Sequence, residues 1–108
     1  MNMILFDTDI LIDHLRGVSL ATDLLKNLKK NFDFAISVIT LAEIESGIRP
    51  KERELVESFL RFFHKFPVTA EIARESGAFK QSFGSSHSVH LPDAIIAATA
   101  FVHKVTHM

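Results

Sequence analysis

The sequence predicts an α/β fold with a short, mostly parallel central sheet covered by helices on both faces. Three features predict it. Residues 3–6 form a brief continuous apolar run that stops at an acid, Asp7, the pattern of a strand buried on both faces of a parallel sheet. Short apolar runs recur at residues 34–36 and 66–68, and the segments between carry apolar residues at helical spacing. Residues 94–102 are apolar nearly all round, as expected of a helix covered by other layers.

The elements follow in order. After the first strand, Thr8 or Asp9 caps a helix whose stripe is Ile10, Leu11 and Leu15, ended by Gly17. Residues 20–30 read as a second helix, with Leu24, Leu25 and Leu28 on one side and Lys26, Lys29 and Lys30 on the other. Ser37 caps a helix over residues 38–48, which Arg49 and Pro50 break. Residues 52–64 form a further helix with Leu55, Phe59, Phe62 and Phe63 on its apolar face. Thr69 caps the next, which carries Ile72, Ala73, Ser76 and Phe79 and fades near Gly84. Residues 85–90 are a loop, and Pro92 opens the last helix.

A chain of 108 residues, 47% hydrophobic and 23% charged, is expected to form one domain over residues 1–108. A domain this short buries only roughly two-thirds of its unfolded surface, so a homodimer or higher oligomer is expected. A net charge of -1 excludes a globally basic nucleic-acid binder. Any phosphate contact falls to a local patch drawn from Arg16, Lys26, Lys29, Lys30, Arg49, Lys51 and Arg53, which serve equally as solvated helix faces. The absence of cysteine excludes disulfides and thiolate metal sites and suits a cytoplasmic location. The apolar N-terminus is interrupted by Asp7, Asp9 and Asp13, so no signal peptide or membrane span is expected there. Ten Phe without Tyr or Trp point to a Phe-filled core; the Phe59, Phe62, Phe63 and Phe66 cluster could also form a docking surface. His87 and His90 have a spacing that zinc could use, although solvated loop histidines are the plainer reading.

Three of the thirteen acidic residues stand among apolar neighbours. Asp7 follows Ile4-Leu5-Phe6, Glu43 lies within Ile39-Thr40-Leu41-Ala42-Glu43-Ile44, and Asp93 precedes Ala94-Ile95-Ile96-Ala97-Ala98. A carboxylate in such a setting needs a partner, hydrogen bonds or a cation. Asp7 occupies the carboxyl end of the first strand, where open parallel sheets bind ligands, and Asp93 a helix N-terminus, whose dipole favours its charged form. All-oxygen ligation points to Mg²⁺ or Mn²⁺ rather than zinc. Each acid also has a structural alternative: Asp7 as a helix cap, Glu43 as a surface residue beside Glu45, Asp93 as a first-turn acid.

These segments carry a resemblance. The stretch Ile4-Leu5-Phe6-Asp7-Thr8-Asp9-Ile10-Leu11-Ile12-Asp13 resembles the opening motif of PIN domains, and Ser37-Val38-Ile39-Thr40-Leu41-Ala42-Glu43-Ile44 with Gly47 their second. The stretch Leu91-Pro92-Asp93-Ala94-Ile95-Ile96-Ala97-Ala98-Thr99-Ala100 resembles the third. The size is similar to that of VapC-like toxins. The resemblance implies a three-layer α/β/α PIN-like domain and a Mg²⁺- or Mn²⁺-dependent endoribonuclease toxin, acting on RNA and inhibited by a VapB-type antitoxin. It implies Asp7, Glu43 and Asp93 as catalytic, metal-binding acids, with Thr8, Asp9, Ser37 and Thr40 in support. It also implies a further strand after the last helix, lying beside the first and supplying a fourth polar or acidic residue. The chain stops at Val105-Thr106-His107-Met108, so that strand and residue are expected to be missing, with weakened metal binding and an exposed edge on the first strand. Two other readings stand beside this one. Asp7-Thr8-Asp9 also fits the opening of haloacid-dehalogenase-like phosphatases, though Ile10 replaces their usual glycine. The third is a catalytically impaired PIN-like module that binds antitoxin or RNA.

Overall fold

The computed structural model describes residues 2–83 and 89–108. Strand β1 (Met3–Leu5) leads into helices α1 (Thr8–Leu15) and α2 (Ser19–Lys29), and β2 (Asp33–Ser37) into α3 (Val38–Gly47). A 3-10 turn, Pro50–Glu52, opens α4 (Arg53–Leu60). Then follow β3 (His64–Phe66), α5 (Ala70–Phe83), α6 (Leu91–His103) and β4 (Thr106–His107). The strands form one sheet in the order β3-β2-β1-β4, with every pair parallel.

Alternation along the strands divides the core in two. Ile4, Phe6, Phe34 and Ile36 face α1–α4 and meet Leu11, Leu25, Ile44, Val56, Leu60 and Phe63. Leu5 and Ala35 face the other way, onto Ile96 and Ala100 of α6, and α5 packs against α6. The result is the expected three-layer α/β/α arrangement. The phenylalanines cluster as foreseen: Phe6 meets the edge of Phe34 at 4.7 Å between ring centroids, and Phe63 lies 5.5 Å from Phe34 and 5.0 Å from Phe59. Such edge-on pairs add to what burial alone contributes.

Several expectations require correction. The strand expected to be missing is present: Thr106 and His107 pair with Ile4 and Leu5. It forms because Lys104 adopts a left-handed conformation, φ 56°, at the end of α6. Val105 N–H then donates to Ala100 O at 3.1 Å, reversing the chain onto β1. That edge of β1 is therefore covered. Helix α4 ends at Leu60 rather than His64, because the Lys65 ammonium donates to the carbonyls of Leu60 and Phe63 and closes the helix there. The third strand comes earlier than read, and Pro67, which has no N–H to donate, follows its last paired residue. The buried face of α4 is Val56 and Leu60, while Leu55 and Phe62 are 68% and 70% exposed. Helix α6 buries Ala94, Ile96, Ala98, Thr99 and Ala100 but leaves Phe101 72% exposed, so it is not covered all round. Residues 84–88 of the expected loop, His87 among them, lie outside the described residues. Among the described residues, no helix is long and apolar enough to cross a membrane.

Two neighbouring phenylalanines separate packing from exposure. Phe63→Ala should lower unfolding free energy by about 3–5 kcal/mol, whereas Phe62→Ala should stay within ~0.5 kcal/mol. Urea denaturation of both variants checks this, and equal effects would contradict the assigned core.

Candidate acidic site

The site grows from the carboxyl end of β1. Phe6 N–H donates to Ala35 O of β2 at 3.0 Å, and Asp7 N–H donates to Met108 O, just past β4, at 2.7 Å. The chain is thus gripped from both sides where it leaves the sheet. Asp7 occupies the N-cap position of α1, yet its side chain makes no cap hydrogen bond. Its Oδ1 lies instead 2.6 Å from His107 Nε2, with the two side chains 50% and 32% exposed. That hydrogen bond raises the His107 pKa above its ordinary 6.5; partial burial opposes the shift and the Asp7 charge adds to it. The pair is an imidazolium on a carboxylate at moderate pH.

Thr8, buried at the first position of α1, links this pair to α3. Its hydroxyl donates to Glu43 Oε1 at 2.6 Å and lies 2.9 Å from Thr40 Oγ1. A hydroxyl has one proton. With that of Thr8 directed at the carboxylate, the proton between the two threonines comes from Thr40. Ser37, fully buried at the end of β2, accepts from Ile39 N–H at 3.0 Å and caps α3, so it fixes the helix that carries Thr40 and Glu43. Glu43 itself is exposed, as is Asp9 in the first turn of α1.

Asp7, Thr8, Thr40, Glu43 and His107 are therefore joined through one dipeptide and its hydrogen bonds. Asp93 is not. It stands exposed in the first turn of α6, and only the packing of α6 against α3 and β2 relates it to the others. Among the described residues, no three His, Asp or Glu side chains are grouped as ligands of one ion. The expectation that the fourth position is empty needs revision: His107 fills the space beside Asp7 with an imidazole. The sequence reading passed over it, although the β-branched pair Val105-Thr106 marks a strand whose register would bring the next residue to Asp7. Of the candidate phosphate-contacting cations, Arg53 is already paired with Glu45 and Glu57, and the Lys29 ammonium lies 4.6 Å from the Phe62 ring centre.

The PIN domain family model matches residues 4–108. The chain belongs to the PIN domain family. Among curated relatives, Ribonuclease VapC10 of Mycobacterium tuberculosis is 45% identical over 104 residues, covering 95% of this chain and 78% of the relative. Ribonuclease VapC19 of the same organism is 38% identical over 102 residues, covering 93% and 82%. Among solved structures, a toxin–antitoxin complex from Klebsiella pneumoniae superposes with a TM-score of 0.83 at 33% identity, covering 96% of this chain and 82% of that one. FitAcB from Neisseria gonorrhoeae superposes at 0.75 and 27% identity, covering 97% and 85%. With PIN membership established, the phosphatase reading of Asp7-Thr8-Asp9 is set aside.

The Asp7–His107 pair carries a defined pH signature. With a folded pKa raised above the unfolded 6.5, His107 contributes stability that is fully present below 6.5 and fades as pH rises through the folded value. NMR titration of the His107 ring should give a midpoint above 6.5 in the parent and a lower one in Asp7→Asn. Identical midpoints would contradict the pairing.

Proposed function

We propose that this PIN domain is a Mg²⁺- or Mn²⁺-dependent endoribonuclease, the toxin of a pair neutralised by a VapB-type antitoxin. One observation carries the reading: consecutive residues at the end of the central strand direct a carboxylate, Asp7, and a hydroxyl that grips a second carboxylate, Glu43. The 45% identical relative is named a ribonuclease, and the 33% identical structure is a toxin–antitoxin complex.

The donor types suit a hard divalent ion: carboxylates and hydroxyls, with no thiolate. The geometry suits it in part. Asp7 is turned to His107 and Glu43 to Thr8, while Asp93 extends into solvent. Asp7, Glu43 and Asp93 would hold the ion, which when bound supplies Lewis-acid polarisation of the scissile phosphate. Thr8 fixes one oxygen of Glu43, and Thr40 holds Thr8 in turn. Ser37 sets the start of that helix, and Asp9 adds negative charge one helical residue beyond Thr8. His107 offsets the Asp7 charge. A carboxylate left free of the metal would take the proton of the attacking water. The RNA is the substrate, and the exposed Phe101 on α6 offers a face for a homodimer or higher oligomer.

A second reading, a binding module that no longer cuts, is favoured by the Asp7–His107 pair, which already satisfies the first acid. Incubation of total RNA with Mg²⁺ or Mn²⁺ separates the two. The parent should cleave, and Asp93→Ala, an exposed substitution that leaves the core untouched, should lose on the order of 10²-fold or more. Equal cleavage by both would sink the mechanism. RNA binding without cleavage by the parent, unchanged in Asp7→Asn, would favour the module.

A further inference from the structure

A cavity of about 120 Å³ opens directly beside Glu43, between α1, α3 and α4. Ile44 and Val56, both buried, form its floor, and Ile12 and Leu15 line it from α1. Arg16, Glu43 and Gly47 line it too, all exposed. The lining is thus apolar below and polar at the solvent side, as in sites for small flat ligands. At ~30 Å³ per water the space equals about four waters. That admits one ring and excludes a helix.

Gly47 is the second observation. It is the last residue of α3, and its backbone lies outside the left-handed region that favours glycine. A methyl group added there would meet nothing within 4 Å. Neither conformation nor crowding inside the chain calls for glycine, and glycine weakens a helix relative to alanine. What its bare backbone does is leave the cavity open next to a site acid. Arg16 supplies the matching polar group. Its guanidinium makes no hydrogen bond or ion pair among the described residues, and its planar fork of donors fits a phosphate or the acceptor edge of a base.

We propose that this cavity is the subsite for the nucleobase next to the scissile phosphate, with apolar walls against the ring and Arg16 on its edge or its phosphate. The proposal rests on the ribonuclease reading. A phosphate held at Asp7 and Glu43 brings its own nucleoside to the cavity's mouth, which is why a base is favoured over a side chain of a protein partner.

The test uses Gly47→Leu, which fills the mouth, and Gly47→Ala, which narrows it. Binding of the hexamers rA6, rC6 and rU6, and of an abasic hexamer with the same backbone, is read by fluorescence anisotropy without divalent ions. Thermal unfolding and Mn²⁺-dependent cleavage are followed in parallel. The leucine variant should unfold at or above the parent's midpoint, bind the parent's preferred hexamer about tenfold more weakly, and bind the abasic strand as the parent does. The alanine variant should fall between. Undiminished affinity for every base-bearing hexamer overturns the proposal and leaves a protein side chain as the occupant. An equal loss on the abasic strand overturns it too, since the effect would then lie in the backbone path. A parent that shows the base contrast but cuts no RNA sinks the ribonuclease reading and leaves the subsite standing.

Discussion

The parallel pairing of β1 on both of its edges is the constraint from which the site follows. The strand has only three residues, but it is hydrogen-bonded to β2 on one side and β4 on the other. Ile4, Leu5 and Phe6 are essentially without solvent contact. A slip of one residue would turn Phe6 toward α6 and Leu5 toward the phenylalanine cluster, exchanging two differently shaped cores. The register is therefore rigidly specified, and with it the point where Asp7 emerges. The sheet presents that acid at its carboxyl end, the usual place for a ligand in this architecture.

What happens next depends on satisfying buried polar groups. Thr8, Thr40 and Ser37 are buried on or beside the elements that leave the sheet. Hydroxyls in such places are tolerated only when hydrogen-bonded. Among the described residues, no buried side-chain nitrogen or oxygen lacks a partner. Meeting that requirement ties α1 to α3 through the two threonines and delivers Glu43 as an acceptor at the end of the chain of bonds. Structure and chemistry are here the same contacts: the bonds that satisfy Thr8 also hold the carboxylate. His107 plays the corresponding part for Asp7, supplying positive character beside a second nearby carboxylate.

Much of this was legible in the sequence because it is local. The apolar run ending at Asp7 marks β1 and its exit; Ser37 before an apolar helix marks a cap; the phenylalanines mark the core. Helix periodicity failed where a side chain overrode it, as when Lys65 closed α4 and turned Leu55 and Phe62 outward. It also failed at β4, because the turn that creates this strand rests on a lysine in a conformation glycine usually occupies. His107 was missed for the same reason, since its place beside Asp7 depends on a pairing across nearly the whole chain. Asp93 shows the opposite limit. Its motif is plain in the sequence, but its carboxylate remains apart from the other two in the fold.

That separation makes convergence of the three acids the central claim. The most direct measurement is paramagnetic broadening of backbone amide signals on titration with Mn²⁺, which reads proximity to the ion without reference to catalysis. The account predicts that signals from Asp7, Thr8, Glu43, Asp93 and Ala94 broaden together at low metal concentration while those of Phe62 and Lys65 persist. Broadening centred on other acids, such as Glu71 and Glu75, or broadening that leaves Asp93 and Ala94 untouched, would contradict it.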